Sequence, residues 1–319
     1  MMKFVSLRRV CMPMVAMLAL LGCSFAIADT GYARGGVETC MDCHDSASDH
    51  PAHNILMTPH GVAADSRTPM ADANRQCQTC HGPSEEHMTR REDGTRPPPA
   101  IVFDQATPTA TKDGTCLTCH QDSPGLHWAG SAHHFEEVAC SDCHSLHVDF
   151  RDPVLSVEKQ PAVCFECHSQ QRAELLRPHR HPVQTANFTS ETGLLACTDC
   201  HNPHGGPGPS NLNRLTVNET CYDCHAEMRG PFLWEHAPVR EDCTTCHSPH
   251  GSVHAKMLAQ RPPQLCQQCH LAQRHPSGVR SGLGVPPTGA DQNLLGQACL
   301  NCHTNIHGSN HPSAVRFTR

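Results

Sequence analysis

Ten Cys-x-x-Cys-His groups constrain the fold of this chain more than any other feature of its sequence. The chain has 319 residues and 22 cysteines, and only Cys11 and Cys23 lie outside these groups. Both belong to the first 28 residues, so no later cysteine is left for a structural disulfide. The groups are Cys40, Cys43 and His44; Cys77, Cys80 and His81; Cys116, Cys119 and His120; Cys140, Cys143 and His144; Cys164, Cys167 and His168; Cys197, Cys200 and His201; Cys221, Cys224 and His225; Cys243, Cys246 and His247; Cys266, Cys269 and His270; Cys299, Cys302 and His303.

This spacing matches the attachment sequence for c-type haem. Positions i, i+3 and i+4 share one face of a helical turn, so two thiols reach one porphyrin while the histidine points at its iron. A four-cysteine zinc site also uses Cys-x-x-Cys, and the interval from Cys119 to Cys140 suits one. Neither zinc nor a disulfide framework explains a histidine after every second cysteine. The sequence therefore predicts ten covalently attached c-type haems.

The composition agrees with a core that is filled by cofactor. Hydrophobic residues make up 38% of the chain and aromatic residues 4%, against about 45–50% apolar residues in an average globular domain. Ten porphyrins would supply the missing apolar volume. The formal net charge is −7, and the chain has no basic cluster, which argues against nucleic acid as a partner.

Histidines outside the motifs are the candidates for the second axial position of each iron. They recur by one rule, with one histidine between two motifs and one after the second motif. The rule defines five dihaem units, residues 40–87, 116–147, 164–204, 221–250 and 266–307. We expect each unit to supply the four axial ligands of its own two irons. The candidates between motifs are His60, His133, His181, His236 and His275, and the candidates after them are His87, His147, His204, His250 and His307.

Several of these choices have neighbouring competitors. His134 competes with His133, and His179 competes with His181. Three further competitors are His50 and His53, which compete with His60, and His311, which competes with His307. Two histidines have no place in the rule and are expected to face solvent, namely His127 and His254. Methionine is another common haem ligand, but the methionines after residue 28 follow no repeat.

Residues 1–28 have the features of a secretory signal peptide. A basic start is followed by an apolar stretch and by Ala26-Ile27-Ala28, which is typical of a cleavage site. An alternative is a lipobox, Leu20-Leu21-Gly22-Cys23, which would make Cys23 a lipid anchor. Residues 29–319 then form one decahaem cytochrome domain, and none of its segments approaches the ~20 apolar residues of a membrane span.

The expected fold is that of a multihaem cytochrome c, with short α-helices, irregular loops and almost no β-structure. Breaker-rich stretches separate the units, such as RPPPA at 96–100 and GGPGPS at 205–210. Each unit should touch mainly its neighbours, as in a solenoid. The sequence therefore predicts an elongated haem wire of five dihaem repeats.

Four segments resemble the MtrA family of periplasmic decahaem cytochromes, which includes the DmsE, PioA and MtoA types. They are NETCYDCHAEMRGPFLWEHAPV, CHSPHGSV, PPQLCQQCH and CLNCHTNIHGSNHPS. The resemblance implies bis-histidine haems in a periplasmic protein associated with the outer membrane and held inside a β-barrel porin. It implies electron transport between a periplasmic or inner-membrane cytochrome donor and an extracellular multihaem cytochrome or terminal reductase. The first haem would face the periplasm and the last the cell surface, in respiration of metals or sulphoxides or in Fe(II) oxidation.

The coordination pattern favours an electron carrier over an enzyme. Every motif ends in histidine and every motif finds a second candidate ligand, so no iron is predicted to stay open for substrate. The alternatives are a multihaem oxidoreductase, such as a nitrite reductase, and a soluble periplasmic electron shuttle. The direction of electron flow is left open by the sequence.

Overall fold

The computed structural model describes residues 31–123, 127–148, 151–183, 194–271 and 297–318. The predicted signal peptide and His275 lie outside these ranges. Within them the chain forms short helices joined by loops, and the longest helix has 12 residues. No helix in the described ranges is both long enough and apolar enough to cross a membrane.

The α-helices of the described ranges are α1 Gly36–Met41, α2 Gln78–His81, α3 Glu85–Met88, α4 Thr109–His120, α5 Ala132–Phe135, α6 Cys140–Cys143, α7 Gln160–Phe165, α8 Ser169–Glu174, α9 Val217–Tyr222, α10 Ala237–Glu241 and α11 Gln264–Gln267. The 3₁₀-helices are His53–Met57, Pro59–Gly61, Pro69–Ala71, Pro153–Leu155, Cys197–Asp199, Pro209–Asn211, Ala226–Met228, Cys243–Thr245, Ala255–Met257 and Cys299–Asn301.

Pairing of extended backbone is limited to isolated bridges in this part of the chain. The bridges join His179 with Ser252, Val183 with Leu195, His201 with Leu212, Trp234 with Ser309, and His247 with Leu258. Two of them hold distant segments together, since the first and the fourth each link residues more than 70 positions apart. The predicted architecture of short helices and irregular loops with almost no β-structure is confirmed.

Each motif is closed by one helical turn. The first motif of each unit begins inside an α-helix. In chain order these helices are α1, α4, α7, α9 and α11. The second motif of each unit lies on a single helical turn. The backbone N–H of His144 donates to the carbonyl of Cys140 at 2.9 Å, and His303 makes the same bond to Cys299. This turn places both thiols and the imidazole on one side, as haem attachment requires.

Buried polar side chains dock the second motif onto the helix of the first. Asp113 Oδ1 accepts a hydrogen bond from the backbone N–H of Cys140 at 2.8 Å, and Asn218 Oδ1 accepts one from Cys243 at 2.8 Å. Both side chains belong to residues that are only 5% exposed. Because a buried polar group is costly unless it is hydrogen-bonded, these contacts fix the two motifs of a unit relative to each other.

The hydrophobic core built by side chains is small. In the described ranges the buried hydrophobic residues are Ile55, Met70, Trp128, Ala139, Leu175, Val183, Ala196 and Ala314. Large apolar side chains are exposed instead, including Leu271 at 88% and Phe135 at 73%. Side chains alone therefore do not provide the apolar interior of an ordinary domain, in agreement with the lean composition.

Candidate metal centres

The two motifs of each unit meet at their first cysteines. The thiol of Cys40 lies next to that of Cys77, and the thiol of Cys116 lies next to that of Cys140. These sulphur atoms are the ones that haem attachment converts to thioethers. The same contact recurs in the other three units, where it joins Cys164 with Cys197, Cys221 with Cys243, and Cys266 with Cys299.

Neighbouring units are also in contact. The last cysteine of one unit lies beside the first motif of the next unit. Burial, followed by the nearby thiols of Cys116 and Cys119, raises the pKa of the Cys80 thiol to about 11. Cys143 is placed in the same way beside Cys164 and Cys167 of the next unit. The contact recurs where Cys200 approaches Cys221 and Cys224, and where Cys246 approaches Cys269. Successive motifs are therefore neighbours in space, in the order of the sequence.

Histidine side chains form pairs across a gap throughout the described residues. Each of nine pairs combines one motif histidine with one histidine from outside the motifs, and their ring centroids are 5.9 to 6.4 Å apart. The pairs are His44 with His87, His81 with His147, His120 with His60, His144 with His204, His168 with His133, His201 with His250, His225 with His181, His247 with His307, and His270 with His236.

This separation fits an iron between the two rings. A metal–imidazole bond is about 2.0–2.1 Å long, and the bound nitrogen lies about 1.1 Å from the ring centre, so two opposed ligands have centroids roughly 6 Å apart. The angle between the ring planes varies from 15° to 69° while the separation stays nearly constant. Rings that turn about a shared axis through a metal behave in this way. The paired histidines therefore fit a haem iron with an imidazole on each side.

The pairs cross the unit boundaries, and the expectation that each unit serves its own two irons is wrong for eight of the nine pairs. His133 of the second unit faces His168 of the third, and His204 of the third faces His144 of the second. Among the nine pairs of the described residues, His44 and His87 alone belong to the same unit. Neighbouring units therefore interlock by exchanging histidines.

The length of the connection explains why these histidines do not serve the iron of their own motif. His204 follows His201 by three residues, and His250 follows His247 by three. Three residues span at most about 11 Å, which is too short to pass from one face of a porphyrin around its edge to the other. A histidine so close to its own motif therefore serves the iron of another motif, which for His204 and His250 lies in a neighbouring unit.

The structure also separates the preferred candidates from their competitors. His133 faces a motif histidine, whereas His134 lies edge-on against Trp128 and Phe135. His181 faces His225, while His179 takes part in a backbone bridge. His60 and His307 likewise face motif histidines, whereas their competitors His50, His53 and His311 are not in these pairs, and neither are His127 and His254. The partner expected for His303, His275, lies outside the described residues.

Backbone carbonyls orient many of the paired rings. The Nδ1 atom of His133 lies 2.9 Å from the carbonyl oxygen of Pro203, and that of His181 lies 2.7 Å from Pro249. A hydrogen bond at Nδ1 fixes the ring and leaves Nε2 for the metal. Sequence reasoning missed these prolines, although both occur in a repeated signal, the Pro-His that follows CHN or CHS.

Burial favours the metal-binding form of several candidates. It lowers the pKa of His60, His204 and His307, and the charge of the facing imidazole lowers each pKa further. Neutral imidazole is the form that binds metal. These rings are therefore in the protonation state that an iron ligand needs at neutral pH.

Comparison with known proteins gives matches to c-type cytochromes. A family model described as a doubled CXXCH motif matches residues 133–173, 190–230 and 236–275. The multiheme cytochrome MtrA of Shewanella baltica (strain OS185) is 43% identical over 295 residues, which cover 92% of this chain and 84% of the relative. The cytochrome c-type protein NrfB of Escherichia coli O6:H1 (strain CFT073) is 29% identical over 138 residues, 42% of this chain and 65% of the relative. The motifs of this chain therefore bind haem c covalently.

The matched doubled motifs are offset by one motif from the five units of the sequence analysis. Residues 133–173, for example, contain the second motif of the second unit and the first motif of the third. The cysteine contacts join motifs both within units and between them. Both ways of pairing the motifs therefore describe one continuous row.

We expect the intact mature protein to carry ten covalent haems, because twenty cysteines form ten complete motifs. Mass spectrometry of protein purified from a host that matures c-type cytochromes measures this number directly. A variant with Cys116 and Cys119 replaced by alanine serves as the control and should lose the mass of one haem. A fully matured sample with fewer than ten haems would contradict the assignment.

Proposed function

This chain belongs to the MtrA family of multihaem electron-transfer cytochromes, and from that premise we propose that it carries electrons across the outer membrane while held inside a β-barrel porin. The supporting observation is the set of paired histidines at 5.9 to 6.4 Å, one on each side of an iron position. Haem c supplies an iron that gains and loses one electron. The protein's part is to hold that iron closed on both faces.

The axial ligands follow from the pairs. We assign the nine facing pairs to nine irons, and His275 with His303 to the tenth, because the spacing rule places both histidines in the unit of residues 266–307. All ten motif histidines and all ten additional candidates then have a role. With two imidazoles on each iron, no coordination position is left for a substrate. This arrangement supports an electron carrier rather than an enzyme.

The order of the motifs supports a single path for electrons. Cysteine contacts alternate within and between units, so each described motif touches the one before it and the one after it. The path then runs from the haem on Cys40 and Cys43 to the haem on Cys299 and Cys302. At its ends we place a periplasmic or inner-membrane cytochrome donor and an extracellular multihaem cytochrome or terminal reductase.

The porin is part of the proposal for a physical reason. The chain is acidic and rich in loops, and such backbone cannot face lipid because its unpaired polar groups are costly there. The lumen of an outer-membrane barrel is polar and would accept it. The protein would therefore be periplasmic and associated with the outer membrane through that partner.

Reconstitution in liposomes tests this proposal. The barrel that co-purifies with the cytochrome from outer membranes is inserted with it into vesicles that contain a sealed redox dye, and a reductant is added outside. We expect the dye to be reduced only when the barrel and the cytochrome are both present. Vesicles with the barrel alone are the control for leakage of the reductant.

Two results would contradict the proposal. If no barrel co-purifies and the cytochrome is recovered free of membranes, it acts as a soluble shuttle. If the purified protein instead turns over nitrite or binds carbon monoxide when reduced, at least one iron is open and the protein is a multihaem reductase.

A further inference from the structure

One motif histidine differs from its counterparts in the group that accepts its Nδ1 hydrogen bond. In four of the five second motifs the acceptor is a backbone carbonyl, which belongs to Ile101, Ser210, Lys256 or Arg316. In the second unit the acceptor is a carboxylate, since Asp152 Oδ2 lies 2.6 Å from Nδ1 of His144. A negative charge thus takes the place of a neutral dipole at one point of the repeat.

The Asp152 carboxylate is held in position by the protein. Its side chain is only 9% exposed, so water screens its charge little. Its other oxygen, Oδ1, accepts a hydrogen bond from the backbone N–H of Val154 at 3.2 Å and caps the turn Pro153–Leu155. Both oxygens are therefore engaged, and the carboxylate cannot swing away from His144 without uncapping this turn.

A carboxylate at Nδ1 changes the ligand on the opposite side of the ring. It draws the Nδ1 proton toward itself and makes the imidazole a more basic ligand. A more basic ligand, together with a buried negative charge, favours Fe(III) over Fe(II), and second-shell hydrogen bonds are one of the protein's means of setting haem potentials.

We propose that Asp152 is a positioning residue that lowers the reduction potential of the haem attached to Cys140 and Cys143 below that of the other second-motif haems. The inference rests on the proposed axial role of His144. It adds to the proposed function, because it makes the haem on Cys140 and Cys143, which lies away from both ends of the row, a haem of low reduction potential.

A second carboxylate makes a weaker version of the same contact. Glu174 Oε2 lies 3.3 Å from Nδ1 of His250, and its side chain is 19% exposed. His250 faces His201, whereas His144 faces His204, three residues further along. The two haems with carboxylate-bonded ligands therefore meet at residues 201–204. The longer contact and greater exposure of Glu174 give the smaller effect on the potential.

The test is the substitution Asp152→Asn in the full holoprotein. Asparagine has the size and shape of aspartate but no charge, and its single oxygen can accept either the bond that caps the turn or the bond from His144. We expect one of the ten haems to become easier to reduce by about tenfold in its equilibrium constant, which corresponds to 59 mV for a one-electron couple. An optical redox titration against the wild type measures this as a shift of one tenth of the haem absorbance.

Asp142 provides a matched control. It lies in the same motif, is exposed, and its Oδ2 accepts from the backbone N–H of Ala139 at 2.8 Å. Asp142→Asn thus removes a charge close to the same haem without touching the bond to His144. We expect the titration of Asp142→Asn to match that of the wild type. Asp152→Glu keeps the charge, and we expect this variant to keep most of the low potential that Asp152→Asn loses.

Three results would overturn the inference. In the first, Asp152→Asn titrates like the wild type. In the second, Asp142→Asn causes an equal shift, so that the charge does not act through His144. In the third, Asp152→Asn makes one haem high-spin, so that the aspartate only keeps the ligand in place. The titration is done on free protein, and failure of the porin proposal would leave its result unchanged.

Discussion

Replacing His133 with alanine is expected to open one of the ten haem irons, whereas replacing the adjacent His134 is expected to leave all of them closed. His133 faces His168 with ring centroids 6.1 Å apart, and a carbonyl 2.9 Å from its Nδ1 orients the ring. His134 packs edge-on against Trp128 at 6.5 Å. The two residues share helix α5, so the substitutions make similar demands on the fold.

The electronic spectrum of the oxidised protein measures this difference. In His133→Ala about one tenth of the haem should become high-spin and should bind carbon monoxide after reduction, because an open position remains on that iron. His134→Ala should give the wild-type spectrum. A high-spin fraction in His134→Ala, or none in His133→Ala, would contradict the assigned pairs.

The position of the opened haem is a separate part of this prediction. If histidines pair across units, the opened haem is the one attached to Cys164 and Cys167. If they paired within a unit, it would be attached to one of the two motifs in residues 116–147. Combining His133→Ala with alanine at Cys164 and Cys167 removes the predicted haem. The high-spin signal should then disappear, and its survival would show that His133 serves a different iron.

The local features of these centres could be predicted from the sequence because they depend on neighbouring residues. The spacing of Cys140, Cys143 and His144 predicts one helical turn with three side chains on one face, and this turn is present. The candidates for the second axial position also follow a spacing rule. His60, His133, His181 and His307 each face a motif histidine, although that histidine belongs to a neighbouring unit rather than to their own.

The partner of each histidine could not be predicted in the same way, because it depends on contacts between distant residues. His81 and His147 are 66 positions apart, yet their rings face each other at 6.2 Å. No periodicity in the sequence distinguishes that partner from a histidine in the same unit. The three-residue interval after the second motif of the three middle units was a partial signal, since it excludes the iron of the same motif but does not choose among the others.

Asp152 shows the same limit for a single side chain. It follows His144 by eight residues, and Ser210 follows His201 by nine, so the sequence treats the two positions alike. In the structure one offers a carboxylate oxygen to the histidine and the other a backbone carbonyl. The choice between these acceptors depends on how the loop folds back, which spacing alone does not determine.

The second large effect is expected from removing one haem in the middle of the row. Alanine at Cys164 and Cys167 should abolish electron transfer through the barrel while the other nine haems stay in place. This motif lies beside Cys143 of the preceding motif, and its Cys164 lies beside Cys197 of the next. Cysteine contacts run in the order of the chain, so its loss interrupts this row, and the two flanking haems are then linked through protein at residues 201–204 rather than through an intervening haem.

The liposome assay measures electron transfer through the barrel, and a redox titration of the free protein shows whether the remaining haems are intact. The variant should still insert with the barrel, carry nine haems by mass, and become fully reduced when free in solution, because every remaining haem is accessible to a small reductant there. In vesicles the same protein should leave the sealed dye oxidised. Loss of transfer with nine intact haems is what a single row of carriers requires, since a store of charge or a shuttle would lose only one tenth of its capacity. Transfer at the wild-type rate would mean that electrons bypass this motif, and the single path from Cys40 to Cys302 would then be wrong.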